Sequence, residues 1–414
     1  MPDREQTRSV HPVLWGVYLA VSWTWCIGMF LPVLLLRDYG VWGYVAFAAP
    51  NVVGAAAMGW TLRSGRVSEG LVRLHARAMG LFSAVTIAFH LFFMLWLMSL
   101  VRDLPGVAIP DWGLVALPIA GLGAIVGVRR ATRRGDAPTT LVALVTWVAS
   151  GVVLASLALS GEPSPGASAL LPETARTPGL LWLAPVCLFG FALCPYLDLT
   201  FHHARQRTSA GGARVAFTLG FGAFFFAMIL LTLAYSGLFG WVLGGEVPAP
   251  RVAGWALVAV LGHTLLQLIF TVIVHQDRVR RAPGGAGARA TLALGAGAIV
   301  LGLLHERLPE VGGMTGGEVV YRCFMAFYGL VFPAYVWLVM IPTRDGHAGL
   351  GGDRGRWKGL VFAFVTAMAA PMFWMGFVGG HELYLAPGLA LVLGSRIAVS
   401  RRGQGSEAST SEAV

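Results

Sequence analysis

Twelve runs of about 15 to 25 predominantly apolar residues, joined by short arginine-bearing connections, dominate the 414-residue chain. In a hydrocarbon layer each backbone N–H and C=O must be paired without help from water, so runs of this length fold as helices that cross a membrane. The chain is expected to be an all-α polytopic membrane protein with about twelve transmembrane helices. The spans are predicted at 12–36, 41–62, 79–101, 112–128, 139–160, 179–200, 215–236, 252–275, 290–304, 318–342, 359–376 and 382–398. Only 12% of the residues are charged, against roughly a quarter in soluble domains, and 56% are apolar, which excludes a water-soluble globule. No connection is long enough for a separate extramembrane domain. The first run lacks a small-residue cleavage site and reads as an anchor rather than a signal peptide.

A net charge of +10 raises nucleic acid as a partner, and the placement of the basic residues argues against it. With the N-terminus cytoplasmic, only Arg37, Arg102, Arg176, Arg251 and Arg307 fall in outer segments and Arg322 inside a span; the other Lys and Arg lie on the inner side. That is the positive-inside bias of a multi-pass protein with both termini in the cytoplasm. Lys358 is the only lysine, a compositional bias that suggests a bacterial inner membrane. The four cysteines, Cys26, Cys187, Cys194 and Cys323, all lie within spans, so neither a zinc site nor a disulfide framework is indicated. The Gly-rich stretches 283–287 and 346–355 read as flexible connections, and the polar end of the chain, 399–414, as a disordered cytoplasmic tail.

A charged or strongly polar side chain at membrane depth normally faces protein or water. His90 and His263 fall at the centres of spans 3 and 8. His263, Gln267, Thr271 and His275 recur every fourth residue, with Thr264 adjacent, and form one winding polar stripe. Ser83, Thr86 and His90 make a second stripe, and Tyr18, Ser22 and Cys26 a third. Together they suggest one aqueous cavity, with interhelical hydrogen bonding as the plainer alternative.

Span 6 carries Gly190 and the run Cys194-Pro-Tyr-Leu-Asp198, where Pro195 removes a backbone donor. Span 1 has a corresponding weak point in Gly28-Met-Phe-Leu-Pro32. Helix breaks are therefore expected at Gly28–Pro32 and Gly190–Pro195. Since five spans separate the two, one runs outward and the other inward, the geometry of an inverted repeat whose broken helices expose main-chain groups near the midplane.

With Thr24-Trp-Cys-Ile-Gly-Met-Phe-Leu-Pro32 in span 1 and Cys194-Pro-Tyr-Leu-Asp198 in span 6, the chain resembles the amino acid–polyamine–organocation superfamily, or more broadly the leucine-transporter (LeuT-type) fold. The resemblance implies a 5+5 inverted repeat plus two extra helices. It divides the chain into an N-terminus 1–11, a first repeat 12–178, a second repeat 179–342 and spans 11–12 in 343–398. It also implies substrate binding by Trp23, Thr24, Cys26, Gly28, Gly190, Pro195 and Tyr196, completed by His90, His263 and Gln267. Asp198, His202, Thr264 and Thr271 become candidates for coupling to Na+ or H+. Three departures matter: Gly28 alone stands for the small-residue triplet of amino-acid permeases, Thr264 and Thr271 are seven residues apart where a sodium site has neighbouring hydroxyls, and span 5 has no lysine.

The expected function is a secondary active transporter of a small solute working by alternating access, without a cofactor or a resident metal. The alternatives are a twelve-helix transporter of the major facilitator type and a membrane enzyme acting at the cytoplasmic face through His202, His203 and Asp198. Asp198 and His202, one turn apart, are expected to hydrogen-bond or to anchor a helix end among lipid headgroups. Glu318 and Arg322 read as a structural ion pair, Tyr321, Tyr328 and Tyr335 as a packing or stacking face, and His381 and Glu382 as solvated.

Overall fold

A computed structural model describes residues 10–102, 109–160, 177–236, 254–282, 286–341 and 353–411. Helices α1 (Pro12–Trp23) and α2 (Cys26–Thr61) carry the first two spans. At about 1.5 Å per residue α2 is far longer than one crossing requires. It turns at Gly40, whose φ of 65° and ψ of −159° suit a residue without a Cβ, so 26–39 completes span 1 and 41–61 forms span 2. Helix α3 (Gly65–Arg102) bends at His75 into a short inner segment and span 3. Spans 4 and 5 are α4 (Asp111–Arg134) and α5 (Asp136–Leu159).

Span 6 comprises α6 (Leu180–Leu193), a 3-10 turn at Cys194–Leu197 and α7 (Leu199–Gln206). Span 7 is α8 (Ala210–Leu219), a π-helical turn at Gly220–Phe225 and α9 (Phe226–Leu231). Spans 8 to 12 follow as α10 (Gly254–Arg281), α11 (Ala286–Leu304), α12 (Gly316–Tyr335), α13 (Asp353–Phe377) and α14 (Leu385–Ser411). Among the described residues eleven helices are long and apolar enough to cross a membrane, and the shorter apolar α1 supplies the first half of span 1. The protein is a multi-pass, all-helical membrane protein. Helix α14 runs through Ser411, into the stretch 399–414 that composition reads as a tail.

The packing repeats itself when each span is advanced by five. Span 1 meets 7 and 5, and span 6 meets 2 and 10; span 4 meets 8, and span 9 meets 3; span 5 meets 8, and span 10 meets 3. The pairs 3–8 and 2–7 map onto themselves. Burial follows the same rule. In the most apolar stretch of spans 3 and 8, 72% of residues are buried in each, while in spans 4 and 9 it is 17% in each. This is the inverted five-plus-five arrangement, with spans 11 and 12 outside it, and it differs from two parallel six-span halves. Large apolar residues such as Ile119, Leu122, Val145 and Leu292 point outward, as lipid-facing positions should.

Glycines let the central helices touch. A Cβ on Gly16 of span 1 would lie 2.9 Å from the Ala216 carbonyl of span 7, and one on Gly54 of span 2 would lie 2.5 Å from the Phe191 carbonyl of span 6. These contacts fall in the symmetry-related pairs 1–7 and 6–2. Gly59 packs as closely on Phe217.

Candidate functional site

The chain unwinds at the middle of span 1, one turn before the expected place. Thr24 (φ −74°, ψ 67°) and Trp25 (φ −78°, ψ 173°) separate α1 from α2, whereas Gly28 and Pro32 lie inside α2. One missing N–H at Pro32 costs a single helical bond and does not open the helix where its neighbours pack around it. At the true break, side chains replace the lost main-chain bonds, as buried backbone groups require. Trp25 Nε1 donates to the Ser22 carbonyl at 2.5 Å and Thr271 Oγ1 to the Val21 carbonyl at 3.4 Å, while Thr24 Oγ1 adds a 2.8 Å bond to the Ala20 carbonyl, which keeps its main-chain bond from the Thr24 N–H. The Cys26 N–H, at the start of α2, donates to His90 Nε2 at 3.4 Å. His90 Nδ1 donates to the Thr86 carbonyl at 2.7 Å, which leaves Nε2 free to accept.

In span 6 the break lies at Pro195, as expected, but it spans Cys194–Asp198. Gly190 is helical and faces Gly329 of span 10. Asp198 caps α7, with Oδ1 accepting from both the N–H and the hydroxyl of Thr200 at 2.7 Å.

Between the two breaks and spans 10 and 11 lies a narrow cavity of about 50 Å³. Of the predicted binding residues, Trp23, Gly28 and Gly190 line it, and the structure adds Trp25, Asn51, Leu31, Phe191, Cys194 and Tyr328. The Trp23 and Trp25 rings pack on each other with centres 4.4 Å apart; Trp23 Nε1 donates to Asn51 Oδ1 at 2.7 Å, and the Trp25 ring also packs near His275 and Tyr328. The lining is almost wholly apolar. Asn51, an amide in the middle of an apolar run, was the sequence signal for this wall that periodicity alone passed over.

The three polar stripes converge on one another and on their neighbours. Ser83 of span 3 bonds His275 of span 8 at 3.2 Å, Ser22 of span 1 lies 3.2 Å from the Thr200 hydroxyl, and Thr86 bonds Tyr328 of span 10 at 2.9 Å. All are buried. Where the stripes suggested an aqueous cavity, the structure shows a buried seam of side-chain hydrogen bonds. Gln267 Nε2 donates to Ser150 at 2.8 Å. His263 lies beside Tyr235 and, among the described residues, neither ring nitrogen has a hydrogen-bond partner. Thr264 is buried, and Tyr196 presents its carbonyl to His202 Nε2 at 2.9 Å.

Asp198 and His202 do not pair. His202 Nδ1 meets the Ser68 hydroxyl at 2.8 Å, and His203 meets Asp136 at 2.9 Å. Arg205 Nε donates to the Leu62 carbonyl at 2.7 Å. Asp198, His202 and Arg205 are buried, so this cluster is no headgroup anchor. Among the described residues no three His, Cys, Asp or Glu side chains are grouped as a metal site would group them. Helix α7 instead ties the inner end of span 6 to the start of α3.

Glu318 and Arg322 bond at 2.9 Å within a larger network. Arg37 grips both oxygens of Glu318, at 3.0 and 2.5 Å, and also Asp38, while Arg322 reaches Asp38 as well. Glu382 is buried rather than solvated and accepts from the Tyr39 hydroxyl at 2.6 Å. These charges close spans 1 and 10 over the cavity. A smaller pocket lined by Leu31, Met325, Phe377, Asp38 and Arg322 leads from the cavity to the network.

No protein-family model matches the chain. No curated protein matches it by sequence. Among solved structures it is similar to Mhp1, a nucleobase-cation-symport-1 family transporter in a closed conformation with bromovinylhydantoin bound, at 16% identity and a TM-score of 0.47, over 97% of this chain and 94% of that one. It is also similar to MhsT in complex with L-phenylalanine, at 14% identity and a TM-score of 0.42, over 91% and 99%. A third, the Eremococcus coleocola manganese transporter in complex with an aromatic bis-isothiourea substituted compound, is 11% identical with a TM-score of 0.44, over 97% of each chain. The inverted arrangement of this chain stands on its own helix breaks and span pairings.

Proposed function

We propose that the protein is a secondary transporter of a small solute, working by alternating access in a cell membrane with both termini cytoplasmic. The observation that carries this reading is the apolar cavity set between breaks in two symmetry-related spans, 1 and 6, and closed on its outer side by an ion network. Unwound segments supply the joints about which helix halves tilt, and a buried cavity at the repeat interface is where a rocking bundle holds its cargo. The inner route is closed by α7, through Ser68, His202 and Arg205.

The lining names the class of solute. No charged side chain borders the cavity, and Asn51 is already engaged by Trp23. A zwitterion or metal ion would enter without a partner for its charge, which is costly in a low-dielectric site. The cargo is therefore an uncharged molecule with an apolar or aromatic body, oriented by the indoles of Trp23 and Trp25 and by main-chain groups at the breaks. Thr271, already donating to the Val21 carbonyl, is the one hydroxyl from span 8 at the span 1 break.

The test is counterflow in proteoliposomes across neutral aromatic, neutral aliphatic, zwitterionic and cationic compounds. Exchange of a neutral aromatic or aliphatic compound, lost in Asn51→Leu, supports the reading. Exchange confined to zwitterions or cations contradicts the assigned class, and exchange of nothing by well-folded protein contradicts transport.

A further inference from the structure

Below the cavity, where span 6 resumes as α7 against the inner half of span 8, two buried groups face each other with nothing between them. Asp198 Oδ2 and His275 Nε2 are 3.8 Å apart, and both side chains are fully buried. The other polar atom of each is engaged, Oδ1 by Thr200 and Nδ1 by the Ser83 hydroxyl. Neither Oδ2 nor Nε2 has a hydrogen-bond partner among the described residues. We propose that this pair is a proton-binding site, holding one exchangeable proton between the carboxylate and the imidazole.

The chemistry is that of a buried carboxylate beside a titratable ring. With the proton present, the pair is neutral, either as carboxylic acid and imidazole or as carboxylate and imidazolium. Without it, one negative charge is left in an apolar interior, which burial disfavours. Protonation forms one O–H or N–H bond and deprotonation breaks it, with water at the opened inner or outer face as donor or acceptor. The surrounding groups leave the two atoms to each other. From span 1 Tyr18 lies within electrostatic reach of Asp198, along with Asp136, Asp277 and Arg278. From span 3 His90 faces His275, and from span 10 Tyr328 faces Asp198. On α7 itself His202 is held by Ser68 and His203 by Asp136.

Position links the site to the cavity. Trp25 lines the cavity, and its ring centre is 5.6 Å from that of His275. Asp198 ends the unwound turn whose first residue, Cys194, also lines it. A change of charge on Asp198 changes the cap it gives α7, and so the turn that borders the solute. Coupling of proton and solute rests on the transport reading above; the proton site does not.

Infrared difference spectra of the full-length protein in lipid nanodiscs, recorded as the pH is lowered from about 9 to 5, test the site directly. The wild type should gain a protonated-carboxyl band that is lost in Asp198→Asn, a substitution that keeps the helix cap. Its midpoint should shift in His275→Gln, whose amide still reaches Ser83. A band unchanged in both variants overturns the proposal. In proteoliposomes with a neutral solute found by counterflow, Asp198→Asn should lose proton-gradient-driven accumulation and keep exchange. If the wild type exchanges no solute while the band behaves as stated, the transport reading falls and the proton site stands.

Discussion

Trp25, His90 and Asp198 sit where helices stop, and each supplies a partner that the regular helix would have given. His90 is the clearest case, since its Nε2 accepts the Cys26 N–H and its ring is held in that tautomer by the Thr86 carbonyl. His90→Ala should leave a buried N–H unpaired and lower stability by about 1–3 kcal/mol, read as a fall in thermal unfolding temperature in lipid nanodiscs; an unchanged value removes His90 from the support of the break. Glu318 belongs to the same scale. It is 2% exposed and receives Arg37 and Arg322 together, so Glu318→Gln leaves Asp38 as the carboxylate shared by both cations and should cost roughly 1–3 kcal/mol. It should also raise the rate at which an impermeant thiol reagent reaches Cys187 from outside, and equal labelling in both proteins contradicts the gate. Residue roles were the least legible part of the sequence. The spacing of His263, Gln267, Thr271 and His275 correctly marks a buried face, but whether that face meets water or Ser83, Ser150 and the Val21 carbonyl depends on spans far away in the chain.

Helix breaks were legible where the covalent chemistry forces them and hidden where packing does. Pro195 cannot donate to a helix, and the chain opens there. Thr24 and Trp25 carry no such prohibition, and span 1 opens because Trp23 is drawn to Asn51 and Trp25 into the space among spans 3, 8 and 10. Glycine contacts show the same division. Small residues in span 2 announce a close approach, while their partners appear only in the fold. Gly54→Ala would put a Cβ 2.5 Å from the Phe191 carbonyl, with only backbone able to move away. It should lower the unfolding temperature. Gly70→Ala, which meets nothing within 4 Å, should raise stability by up to about 1 kcal/mol through helix propensity alone. Equal effects would mean that the span 2 to span 6 approach is looser than described.

For the whole molecule, the membrane spans were legible from apolar run length, because the bilayer constrains that length regardless of tertiary detail. The inverted pairing was legible from two break positions and is now carried by contacts and burial that repeat at an offset of five spans. The cavity was not legible, since it is bounded by spans 1, 2, 6, 10 and 11 and its apolar lining looks like ordinary core in sequence. Both routes to it are closed here, by the Arg37–Glu318 network outside and by α7 inside. On the proposed alternating-access reading each route opens in turn. The most direct measurement uses Cys187 in the cavity wall as the only cysteine, with Cys26, Cys194 and Cys323 replaced, in vesicles of both orientations exposed to an impermeant maleimide. The account predicts labelling from either face, with Glu318→Gln shifting reactivity toward the outer one. Labelling from one face only, or from neither, would contradict it.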